Sequence, residues 1–234
     1  MASHTSATPE TQSFTGNLGG VFSIFIDPEG AARQVFYRWC WVLPMVLLSV
    51  AIIVQSLMTL PSVEHVLLTN PPAGVTPEAI PRILGIQKIF SYVGPVFAAV
   101  FMLLGALLIF GTASILQVKA TFGNLFNLVA MGSLIKVLDV ITSVIIVRAK
   151  GDDITSMAAL HPSVGLDLLV TDSTNKVLAA LMNFFSIPTI WAIVMTALTF
   201  SFAFKVSKTK GFIAMAPYWL MFLALAVVGG LFTK

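Results

Sequence analysis

The chain has 234 residues, 57% of them hydrophobic and 10% charged, where a soluble globular domain carries roughly 25% charged residues. A water-soluble fold of this length has too little interior to hide so much apolar surface, so lipid is the solvent that fits. The net charge of +3, with no Lys/Arg stripe, argues against a nucleic-acid partner, and the one cysteine, Cys40, rules out an intrachain disulfide framework.

Residues 1–19 are small and polar, with neither a basic n-region nor a short apolar core. They read as a disordered tail and not as a cleavable signal peptide, ahead of one transmembrane domain over 20–234. Asp27-Pro28-Glu29 sets an N-cap residue before Pro at the first helical position. A helix over 27–38 places Ala32, Val35, Phe36 and Trp39 on one side and pairs Glu29 with Arg33 at i,i+4. That pattern predicts an amphipathic helix lying in the cytoplasmic interface and feeding the first span. Cys40, between Trp39 and Trp41, reads as a packing thiol at the lipid interface.

A spanning helix needs about 20 mostly apolar residues to cross roughly 30 Å of hydrocarbon. Five segments qualify: 41–60, 92–116, 125–147, 177–204 and 212–232. The fourth is longer than a crossing requires, which predicts a tilt or a kink. Pro61, Asn124, the run Lys150-Gly151-Asp152-Asp153 and residues 205–210 bound the spans. Thr76-Pro77-Glu78 repeats the helix-start signal ahead of Ile80, Ile83 and Leu84, with Pro81 weighing against it. The expected fold class is therefore all-α, a polytopic bundle of five transmembrane helices with an amphipathic N-terminal interfacial helix.

The connections alternate in character. Those at 117–124 and 205–211 are tight and carry Lys119, Lys205, Lys208 and Lys210 with no acid. Those at 61–91 and 148–176 are long, and Glu64, Glu78, Asp152, Asp153, Asp167 and Asp172 balance their bases. The positive-inside rule then puts the tight turns and the amino terminus in the cytoplasm and the carboxy terminus outside.

Catalytic patterns are missing from the sequence. His4, His65 and His161 lie in the tail and in two different connections, none at metal-ligand spacing. No GxSxG elbow, phosphate loop or GxGxxG is present, and no glutamate falls within the five spans. The expectation is a non-enzyme with no catalytic residue, metal or cofactor.

The intramembrane exception is Lys136 with Asp139 in the third span, three residues apart and able to pair on one helix face. Ser133 and Ser143 extend that polar stripe. A charge at mid-membrane costs at least about 2.5–3.5 kcal/mol, so the stripe is expected to face protein or water. The readings that stay open are an ion pair that fixes helix register, a path for an ion or a substrate, and a contact with a partner membrane protein. The fourth span offers Asn183, Ser186 and Thr189 as polar partners. Pro188 and Pro217 are expected to kink the fourth and fifth spans. Small residues such as Gly105 and Gly132 allow close helix approach.

The opening Gly20-Val21-Phe22-Ser23-Ile24-Phe25-Ile26-Asp27-Pro28-Glu29-Gly30-Ala31, followed by a tryptophan-flanked span, resembles the start of the Yip family, the Ypt/Rab-interacting membrane proteins and their bacterial relatives. The likeness continues in Lys119-Ala120-Thr121-Phe122, in the stretch from Asn183 to Trp191, and in Lys208-Thr209-Lys210-Gly211. It implies five helices and a cytosolic amino terminus. Eukaryotic members of that family sit in ER and Golgi membranes, bind prenylated Rab GTPases and assist vesicle budding. This chain lacks their long cytosolic amino-terminal region and their Asp-Leu-Tyr-Gly-Pro motif, so it looks like the bacterial branch and Rab binding is not carried over. The expected function is a non-enzymatic scaffold or accessory subunit of the bacterial inner membrane, binding lipid, another membrane protein or itself, in membrane organisation or trafficking. The alternative is an ion or small-molecule transport component using Lys136 and Asp139.

Overall fold

In lipid the backbone has no water to bond, so an apolar chain satisfies its N–H and C=O groups internally by forming helix. The computed structural model describes residues 19–71, 74–154, 160, 162 and 176–232, which leaves most of the polar tail outside the described residues. A 3₁₀ turn at Phe22–Phe25 leads into α1 (Pro28–Gln34), α2 (Val42–Thr69), α3 (Ile80–Ile115) and α4 (Phe122–Lys150). After these come α5 (Lys176–Phe184), α6 (Ile187–Ala203) and α7 (Lys208–Phe232). Four of them, α2, α3, α4 and α7, are long and apolar enough to cross a membrane. At 17 residues, α6 rises only about 25 Å.

Two expected boundaries move. Pro61 lies inside α2 and does not end it, and the second membrane-length helix begins at Ile80 instead of near residue 92. The 28 residues of α2 and the 36 of α3 rise about 42 and 54 Å, well beyond the roughly 30 Å of hydrocarbon. Their extra turns are held by a second apolar cluster, in which Val63, Val66 and Leu67 of α2 meet Ile80, Val147 and Ile154. Each such side chain contributes about 1.5–3 kcal/mol on burial, which together offsets the roughly 3 kcal/mol cost of an interior proline. Pro81 occupies the first turn of α3, where its missing N–H is not needed.

Of the four membrane-length helices, α4 is the most enclosed, packed against α2, α3 and α6. Its Leu125, Leu128, Met131, Leu134 and Ile135 are buried in the main core. Gly132 faces Thr196 of α6 so closely that a Cβ would collide with the threonine methyl. Further along, Lys136 meets Thr189 and Asp139 meets Ser186, so numbers rise on α4 as they fall on α6. The two helices are antiparallel. A tight turn returns the chain from α6 into α7, where Gly211 lies under Ser201 and Ala197.

Both basic turns are built alike. After α3, Gln117 takes a left-handed φ of 57° and Val118 N donates to Ala113 O at 2.8 Å. After α6, Lys205 takes φ 52° and Val206 N donates to Ser201 O at 3.0 Å. Each is a Schellman closure, with a side chain standing where glycine is usual.

The N-terminal segment lies against the bundle. Asp27 Oδ1 accepts from Gly30 N at 2.9 Å and caps α1, and Glu29 pairs with Arg33 at 3.2 Å. The helix stops at Gln34, short of the expected 38. Ala31, Ala32 and Val35 are buried, whereas Phe36 and Trp39 are 53% and 63% exposed, so the expected apolar side is divided. Here α1 packs on α6, with Phe25 edge-on to Trp191 and Phe36 edge-on to Phe204.

Candidate functional site

The fourth segment is not one helix. It breaks at Phe185 and Ser186 because Pro188 has no N–H to give the Phe184 carbonyl and its ring crowds that turn. Pro188, expected as a kink, instead occupies the first turn of a new helix, the position that suits it. Ser186 is the N-cap: its backbone is extended and its Oγ accepts from Thr189 N at 3.2 Å. Pro217 does lie within a continuous helix, α7.

That break faces Asp139. Lys136 Nζ stands 3.2 Å from Asp139 Oδ2 and also donates to Thr189 Oγ1. Ser186 Oγ donates to Asp139 Oδ1 at 3.1 Å, and the Ser186 and Thr189 hydroxyls are 2.8 Å apart. With the Thr189 proton on Ser186, every group has one consistent role: Lys136 donates to Thr189, Thr189 to Ser186, and Ser186 to Asp139. The ammonium pairs with the carboxylate and closes the ring. The positive N-terminal end of α6 adds to the stabilisation of Asp139.

The ion pair lies within α4, and the ring ties α4 to α6 through its charge-assisted hydrogen bonds to Thr189 and Ser186. Ser186 and Thr189 are each 2% exposed, while the side chains of Lys136 and Asp139 keep 35% and 29% of their surface. One flank of the ring is therefore open. Ser143 is buried one turn beyond Asp139, Asn183 is exposed on α5, and Ser186 and Thr189 bond the pair from the fourth segment. Among the described residues no group of His, Cys, Asp and Glu is arranged to hold a metal ion.

A second polar anchor is one that the sequence patterns do not single out. Buried Asn127 of α4 donates through Nδ2 to Val35 O at 2.9 Å and Tyr37 O at 2.8 Å, pinning the elbow between α1 and α2. The signal available was Asn127 as the one amide side chain within 125–147. The packing around the break also leaves an apolar cleft of about 410 Å³ along α7, lined by residues such as Phe184, Phe185, Ile193, Phe212, Trp219 and Leu223. Lys136 and Asp139 are not among its lining residues.

Comparison with protein-family models, curated proteins and solved structures gives no match.

Proposed function

We propose that this is a non-enzymatic scaffold or accessory subunit of the bacterial inner membrane, which binds lipid and another membrane protein through its outer helix faces. In this reading α5 and α6 together make a fifth, broken crossing. The antiparallel placement of α6 against both α4 and α7 supports that count, since α4 and α7 run the same way and the chain between them must return. The lysine-bearing tight turns support a cytoplasmic amino terminus. The resemblance to bacterial Yip-family proteins agrees with both points.

The observation that carries the proposal is where polar and apolar groups lie. Lys136, Asp139, Ser186 and Thr189 spend their hydrogen bonds on one another, while the outward faces offer long apolar stripes. Val46, Val50 and Val54 make such a stripe on α2, and Val96, Val100, Leu103 and Leu107 make one on α3. Stripes of this kind meet acyl chains or another transmembrane helix.

A photo-crosslinking amino acid at Val100 is expected to give a discrete adduct with one membrane protein, in cells and after mild-detergent purification. Lipid adducts alone, together with solute flux in reconstituted vesicles, would replace the scaffold by a transport component. That second reading has a specific observation in its favour: the ring is open on one flank beside a broken helix, the kind of place where transporters bind ions.

A further inference from the structure

The lateral cleft and the lysine turn above it belong together, and the ring uses neither. We infer that they form a binding site for one anionic phospholipid, with an acyl chain in the cleft and the phosphate at the turn. This rests on the membrane-spanning reading above and deepens it by naming the lipid class.

Length is the first reason. From Phe212 to Leu223 the cleft follows α7 through a rise of about 16 Å, close to half of the roughly 30 Å hydrocarbon, the depth of a single leaflet. Phe184 and Phe185, edge-on at 5.3 Å, stand at its deep end, where the fourth segment breaks. The exposed Ile213 and Leu220 leave its side open to neighbouring lipid.

Charge is the second reason. Lys210 precedes the cleft residue Phe212 by two positions, Lys208 shares the first turn of α7, and Lys205 holds the left-handed position just before it. All three are exposed, and no acid stands in that first turn. Lysines at a helix N-terminus oppose the macrodipole, so the turn concentrates positive charge that a phosphate would relieve. A zwitterionic headgroup brings its own cation and gains less. Free phosphate has no chain for the cleft to hold.

The test uses the full chain in mild detergent, with melting and native mass spectrometry followed against phosphatidylglycerol and phosphatidylcholine of equal chain length. Phosphatidylglycerol should raise the melting point and stay bound at one per chain, with phosphatidylcholine on the order of tenfold weaker. Combining Lys205→Gln, Lys208→Gln and Lys210→Gln should bring phosphatidylglycerol down to the phosphatidylcholine level. Ala216→Phe, which fills the cleft, should weaken both lipids, and Lys119→Gln in the other basic turn should change neither. Inorganic phosphate should have no effect.

Equal binding of the two lipids, an unaffected triple variant, or an equal loss in Lys119→Gln would overturn the site. A second protein chain held in the cleft and not displaced by phosphatidylglycerol would also overturn it. Should Ala216→Phe fail to fold, the exposed lysines still decide. Charge-dependent lipid retention without a Val100 protein adduct would keep this site and remove the scaffold. The adduct without lipid preference would do the reverse.

Discussion

Asn127 and Cys40 show how single residues fix the approach to the bundle. The Asn127 amide bonds two carbonyls of the elbow between α1 and α2, those of Val35 and Tyr37, and the second also accepts from Cys40 N at 3.2 Å. Cys40 lies in the same elbow, and burial pushes its thiol from 9.0 up to about 12. The thiolate is the reactive form, so the native protein should resist maleimide at about pH 7 and react once denatured. The folded chain keeps a proton that the unfolded chain releases above 9.0, so stability should be flat below that pH and fall as pH rises towards 12. Rapid labelling of Cys40 in the native protein at neutral pH would show an open elbow.

At the scale of elements, the break before α6 matters most. If Ser186 both caps α6 and donates to Asp139, Ser186→Ala should cost about 1–2 kcal/mol, measured as loss of stability in detergent. Pro188→Ala should change stability by less than about 0.5 kcal/mol, because a first-turn proline supports no interior bend. A larger effect at Pro188 than at Ser186 would restore the kinked continuous helix. Sequence reasoning reached the membrane-length helices, the Asp27 cap and the Lys136/Asp139 spacing, because each depends on residues within one or two turns. It placed Pro61 and the start of α3 wrongly, because the burial that carries helix past those points comes from Val147 and Ile154, far along the chain. The kinked but unbroken span expected over 177–204 fails for a related reason. A serine before Ile-Pro can continue a helix or start one, and here Asp139 on another helix favours the start.

On the scale of the whole molecule, the bundle combines a membrane-length core, a second cluster beyond it and an outer surface of apolar stripes. Topology is the first check. With Cys40 unreactive, Asn70→Cys should label with an impermeant thiol reagent in intact cells, and Thr209→Cys only after permeabilisation. The opposite pattern would invert the orientation. Lys136 and Asp139, bonded to Thr189 and Ser186, are expected to lock α4 to α6 and not to line a path, and a double-mutant cycle on thermal stability in detergent decides between the two. Each of Lys136→Met and Asp139→Leu leaves a partner charge uncompensated at low dielectric. Each should cost about 2–3 kcal/mol, below the fully buried range because both side chains keep part of their surface exposed. Removing both exchanges the pair for apolar packing, so the double variant should recover most of the loss and still give the Val100 adduct. Two silent single variants would contradict the lock and mark the pair as hydrated.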